Sequence, residues 1–151
     1  MKKITLMAAI MIVPCVLAAG GMAASMADAV KARHDNFHKL GGDIKAIADQ
    51  LKADKPDVAV IQAKATDAKT LTTTMSSWCP AGSGPESGEK TEAKAEIWTD
   101  AAGFAAKREA FQAELAKLQQ AAAGGDVEAI KAQFKTTGEA CKACHSNFRA
   151  R

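Results

Sequence analysis

Hydrophobic residues recur along this chain at steps of three and four, the spacing that places them on one face of an α-helix. Val30, Arg33, Phe37, Leu40, Ile44, Ile47 and Leu51 form the first stripe, with one arginine among apolar residues, and Lys55-Pro56-Asp57 ends it. A second stripe runs through Val58, Ile61, Ala65, Ala68, Leu71 and Met75 and stops before Pro80. Residues 79–90 are rich in glycine, serine and proline and read as a loop. A third stripe, Ile97, Ala101, Phe104, Phe111, Leu115, Leu118 and Ala122, closes at Gly124-Gly125. The fourth opens at Asp126, a good helix cap, and carries Val127, Ile130, Phe134, Cys141, Cys144 and Phe148. Four amphipathic helices joined by two short connections and one longer loop predict an all-α fold, an antiparallel up-down four-helix bundle. Alternating β-branched stretches are scarce, and the glycine and proline breaks argue against a continuous coiled-coil rod.

Ahead of the first stripe the pattern changes. Met1-Lys2-Lys3 leads into the apolar run Ile4 to Ala19 and then into small residues around 18–27, the layout of a secretory signal peptide. The expectation is a signal over residues 1–23, cleaved somewhere within 21–27, followed by one domain over 24–151. The apolar run is too short, and its flank too rich in small residues, for a membrane anchor. Export to the periplasm, with no membrane association after cleavage, is therefore expected. Processing as a lipoprotein at Cys15 would favour small residues where Ile12-Val13-Pro14 stand. Loss of Lys2 and Lys3 lowers the formal net charge from +3 to +1, and no basic stripe remains that would favour nucleic acid.

Cys15 leaves with the signal, so Cys79, Cys141 and Cys144 remain, an odd number that fits a disulfide framework poorly. Cys141-Lys142-Ala143-Cys144-His145 offers another use for two of them. Residues three and four apart share a helix face, so two thiols can form thioethers with the two vinyl groups of a haem while the adjacent imidazole reaches the iron. One covalent haem c per chain is predicted, attached at Cys141 and Cys144 and ligated by His145. Its two propionates would bring the mature charge to neutral or slightly acidic. A zinc site would need about four nitrogen or sulfur ligands, and beyond the motif only Cys79, His34 and His38 are available. A reactive dithiol pair belongs at a helix N-terminus, where the dipole lowers its pKa; here the pair lies near the C-terminal end.

Arg33 sits on an apolar stripe, where a buried guanidinium is costly without an anion. A haem propionate would supply one; snorkelling to water is the alternative. Phe37, one turn on, would then fall over the porphyrin ring or simply pack in the core. Phenylalanine cannot ligate iron, which leaves Met75 and the nearby imidazoles as candidates for a sixth ligand. His34 and His38 form an i, i+4 pair able to bind a metal on the helix surface, or merely a polar face. Trp78 and Trp98 read as packing residues. Cys79 reads as a packed thiol or as a cross-link between two subunits.

On these residues the sequence resembles the cytochrome c prime family, the class II c-type cytochromes, over essentially the whole mature chain. The haem motif close to the C-terminus, Asp28-Ala29-Val30-Lys31-Ala32-Arg33 at the opening, Thr91-Glu92-Ala93-Lys94-Ala95-Glu96-Ile97-Trp98, and Arg149 four beyond the haem histidine carry the likeness. The resemblance implies a four-helix bundle enclosing one haem, commonly a homodimer, with His145 as the sole protein ligand of five-coordinate, high-spin iron. It implies Phe37 at the distal position, Arg33, His34, Thr91 and Glu92 near the haem edge and propionates, and Arg149 near His145 on a more exposed proximal side. Departures are His34 where many relatives have glutamine, Ala95 for a frequent proline, and Cys79. The implied function is binding of small uncharged diatomics, NO above all and CO, together with electron exchange with unidentified redox partner proteins. Bound oxygen wants a distal hydrogen-bond donor, and none is evident. The competing reading within the family is a six-coordinate, low-spin electron carrier. Outside it, a thiol oxidoreductase using Cys141 and Cys144 is the remaining reading, and no acid–base pair or nucleophile constellation suggests another enzyme.

Overall fold

The computed structural model describes residues 19–150, with side chains described from Met26 onward. The first part of the expected export segment, residues 1–18 including Cys15, lies outside them. Helix α1 spans Ala19–Lys52 and passes through positions 21–27, where cleavage is expected. Its inward stripe follows the sequence pattern: Val30, Arg33, Leu40 and Ile47 are buried, and Phe37, Ile44 and Leu51 are half-buried.

Each later long helix begins on an aspartate. Asp57 accepts from the Ala59 and Val60 amides at 2.9 and 3.2 Å and opens α2, Val58–Thr72. Asp126 does the same for Glu128 and Ala129 and opens α5, Val127–Phe148. These carboxylates satisfy amides that a helix start leaves without partners. The third helix departs from the expectation of one continuous element. A single turn, α3 (Glu96–Thr99), is followed by a break at Asp100, whose φ of −118° and ψ of 57° are not helical. Its carboxylate then accepts from the Gly103 amide at 3.0 Å and restarts the chain as α4, Ala101–Gly124. Gly125 ends α4 at φ +77°, a conformation that suits glycine because a side chain there would be strained. The second helix also ends earlier than its stripe, at Thr72, and Met75–Ser77 forms a separate 3-10 turn.

α1 packs on α2, α2 on α4 and α4 on α5, giving the up-down bundle. Ile47, Ile61, Leu115, Leu118 and Ile130 are fully buried and hold these seams together. Each contributes about 1.5–3 kcal/mol through burial. α1 and α5 are not closely packed along their backbones in this way. Between them stands the side that carries the chemistry. Among the described residues no helix is long and apolar enough to cross a membrane.

The long loop is fastened at two points. The Lys94 amide donates to the Phe148 carbonyl at 3.1 Å, and the Ala150 amide to the Glu92 carbonyl at 2.8 Å, so residues 92–94 pair antiparallel with the chain end beyond α5. The Trp98 indole N–H reaches the carbonyls of Cys79 and Pro80 at 3.2 and 3.1 Å. Gly84 lies against this indole, and a Cβ there would come within 2.7 Å of the Trp98 ring, so the approach requires glycine.

Candidate haem site

α5 presents Cys141, Cys144 and His145 on one side near its C-terminal end. Cys141 is packed against the main apolar cluster, and burial pushes its thiol up to about 11. Burial also pushes the Cys144 thiol up, reinforced by the neighbouring Cys79. Both are free thiols rather than thiolates at neutral pH, the opposite of the activated cysteine a thiol oxidoreductase uses. His145 is shifted the other way. Burial lowers its pKa first and the Arg149 cation second, against an opposing effect of Glu92. The imidazole is thus neutral at pH 7 and has a free nitrogen lone pair for a metal.

Phe37 faces His145 from α1. Their ring centroids are 6.5 Å apart with planes at 70°. Behind Phe37 stands Trp78, buried to 4 % exposure and in a T-shaped contact at 5.0 Å. The helices α1 and α5 therefore approach one another here through side chains, an aromatic ring on one side and the Cys-Cys-His constellation on the other. Met75 is buried in the main cluster, and it is the Phe37 ring that meets His145.

Arg33 is 5 % exposed, and its guanidinium ties the loop to α1. Nη1 donates to Ser83 Oγ at 2.8 Å, and Nη2 donates to the Ser83 carbonyl at 2.8 Å and to Thr91 Oγ1 at 2.9 Å. Its Cζ stands 5.8 Å from the Trp98 ring centroid. Every one of these partners is neutral, and among the described residues no carboxylate pairs with this buried charge. Three features of the chain thus fit a covalently held haem. Two half-buried thiols and a neutral imidazole sit at thioether-and-ligand spacing, an apolar ring opposes them, and a buried cation lacks an anion of its own. Cys141 and Cys144 would hold the macrocycle, His145 the iron, and Arg33 a propionate.

The other residues singled out in the sequence fall in distinct places. Thr91 stands under Arg33 and also caps the Ala93 amide at 3.1 Å. Glu92 and Arg149 form an exposed ion pair, Nε to Oε2 at 2.7 Å. With His145 and Lys142 they line an open depression of about 340 Å³. His34 points to solvent, 76 % exposed, one residue beyond Arg33. Cys79 is half-buried against the core, where burial raises its pKa while Arg33 opposes the rise.

Sequence reasoning missed Ser83, which is fully buried and gives Arg33 two of its three hydrogen bonds. It stands in a glycine- and proline-rich loop with no periodicity to mark it. It also missed Asp43, buried on the α1 stripe and paired with Lys64 at 3.1 Å. The stripe did carry a signal there, since a carboxylate between Leu40 and Ile47 falls on the inward side.

Residues 28–149 match the family model described as Cytochrome C'. The chain is 37 % identical to the cytochrome c' of Alcaligenes xylosoxydans xylosoxydans, covering 81 % of this chain and 93 % of that one. A solved cytochrome c' from Rhodobacter superposes with a TM-score of 0.75 at 35 % identity, covering 83 % and 98 % of the two chains. A nitric oxide complex of a mutant cytochrome c prime from Alcaligenes xylosoxidans superposes equally well, with a TM-score of 0.75 at 34 % identity over 83 % and 96 %.

Proposed function

The chain belongs to the cytochrome c' family, and from that premise we propose that it is an exported haem protein that takes up nitric oxide and carbon monoxide at an open iron site and exchanges single electrons. The family consists of electron and gas carriers rather than enzymes, and the cofactor is one covalent haem c per chain. Bound haem supplies an iron that accepts a small uncharged diatomic on its free face and changes oxidation state by one electron.

The chain's own residues set how that face is used. Cys141 and Cys144 would hold the macrocycle on α5, and His145 would supply the iron's nitrogen ligand. Phe37 faces His145 with a ring that neither ligates a metal nor donates a hydrogen bond. Steric cost and apolarity then select for small ligands that bind without a donor, which favours NO and CO over oxygen. The facing of Phe37 and His145 across 6.5 Å is the observation that carries this reading. A methionine in that place would have favoured the low-spin carrier instead.

Arg33 would offer a propionate its buried charge, with Thr91 beside it, while Glu92 and Arg149 border the open depression beside His145. Residues 1–23 direct export to the periplasm, and the mature domain of residues 24–151 works as a homodimer, as its resemblance to the family implies. The test is stopped-flow mixing of the haem-loaded ferrous protein with NO, CO and oxygen. Saturable NO and CO binding with no stable oxygen complex is expected. A stable oxygen complex, or no NO uptake, overturns the assignment. Amino-terminal sequencing of the periplasmic protein checks cleavage within 21–27, and sedimentation velocity checks the dimer.

A further inference from the structure

Outside the haem site, α1 carries a second set of metal-ligating side chains. His34 and His38 lie one turn apart and both are exposed. Their ring centroids are 6.0 Å apart, with planes inclined by 31°. Two imidazoles at i and i+4 on one helix face can converge on a single cation, the spacing used by helix-borne zinc motifs. The chain has 3 histidines in all. With His145 committed to iron, the remaining two are this pair.

A carboxylate stands at the right place to support them. Asp35 Oδ1 is 3.6 Å from His34 Nδ1, an ion-pair distance rather than a hydrogen bond. A carboxylate on the Nδ1 side leaves Nε2 outward as the ligating atom, as is common for metal-bound histidines. Among the described residues no group of three or more histidine, cysteine or carboxylate side chains gathers around a metal position. The site is therefore a two-ligand chelate with further positions left open, not a closed structural centre.

We propose that His34 and His38 chelate one divalent transition cation per chain on the outer flank of α1. Imidazole donors suit copper, nickel and zinc, whereas magnesium and calcium want oxygen ligands. Cu(II) binds most tightly and Zn(II) more weakly, following the usual order of divalent affinities. His34 follows Arg33 and His38 follows Phe37, about 100° further round the helix in each case. The pair thus sets a second, redox-capable metal on the helix whose inner face carries Arg33 and Phe37.

The haem-loaded protein, in a buffer free of chelators, is titrated calorimetrically with Cu(II), Zn(II) and Mg(II), and the bound copper is read by electron paramagnetic resonance. One Cu(II) per chain with nitrogen hyperfine structure from two imidazoles is expected, with weaker Zn(II) uptake and no Mg(II) uptake. His34→Gln or His38→Gln weakens Cu(II) at least about tenfold, since loss of even an outer partner costs 10–100-fold, and Asp35→Asn weakens it less. His38 is exposed and has no place among the haem contacts, so His38→Gln keeps the parent's visible haem spectrum. Cu(II) uptake by the double variant equal to that of the parent, or no saturable uptake by the parent, overturns the proposal.

Discussion

Replacing Phe37 by alanine tests how the distal face is guarded. For a diatomic to reach that face, the ring must swing away from Trp78, with which it makes a T-shaped contact at 5.0 Å. Such aromatic pairs are worth about 0.5–1.5 kcal/mol, and holding a side chain off its preferred rotamer costs a similar amount, about 0.5–1.5 kcal/mol. Together they set a gating barrier of about 1–3 kcal/mol, and at tenfold per 1.4 kcal/mol its removal speeds entry about 5- to 150-fold. The assay is CO association to the ferrous haem-loaded protein after flash photolysis, with Phe37→Leu as an intermediate case. Loss of a half-buried ring also costs stability, about 1–3 kcal/mol, below the 3–5 kcal/mol of a fully buried phenylalanine. Urea unfolding reads that cost separately, so a folding defect cannot pass for a gating effect. An unchanged CO association rate in a correctly haem-loaded variant would refute the placement of Phe37 over the iron.

Arg33→Met keeps the bulk of the side chain but leaves the Ser83 carbonyl without its donor, while Thr91 Oγ1 keeps the Ala93 amide. The orphaned buried carbonyl costs about 1–3 kcal/mol, partly offset because a buried charge is also removed; urea unfolding should show a net loss of about 1–2 kcal/mol, and a neutral result contradicts the anchoring role. Alkaline titration separates haem-free from haem-loaded protein. In the haem-free chain the Cys141 pKa is raised to about 11 by burial, so the folded state holds its proton longer than the unfolded one. That contribution is full below the ordinary thiol value of 9.0 and lost as pH rises through about 11. At about 1.4 kcal/mol per pKa unit, discounted for partial exposure, the loss is about 1–2 kcal/mol. It should vanish in the haem-loaded protein, where a thioether does not titrate; equal pH profiles for the two forms would speak against attachment at Cys141. Asp126→Ala removes the cap that accepts from the Glu128 and Ala129 amides, and thermal unfolding should show a loss of about 1 kcal/mol.

Most of the bundle was legible because its helices are marked by two independent signals. Apolar stripes gave the inward faces, and Asp126 gave a start that the structure places at the same residue, whereas Asp57, read only as the end of the first stripe, proves to cap the second helix. The break at Asp100 was not legible, because the stripe from Ile97 to Phe104 continues across it and only the local cap competition of one aspartate interrupts the helix. The attachment motif could be read because its chemistry depends on spacing within one helix. The rest of the site depends on which side chains meet across helices. The i, i+4 relation of Arg33 and Phe37 put them on one face, but it could not reveal that Ser83 would rise from a loop fifty residues away to hold the guanidinium.

The most direct test of the account is the coordination state of the ferric haem-loaded protein at neutral pH, read by magnetic circular dichroism and low-temperature electron paramagnetic resonance. An iron ligated by His145 alone, with only the Phe37 ring opposite, gives a high-spin, five-coordinate signature. A low-spin signature with a second strong-field side chain on the metal would contradict it.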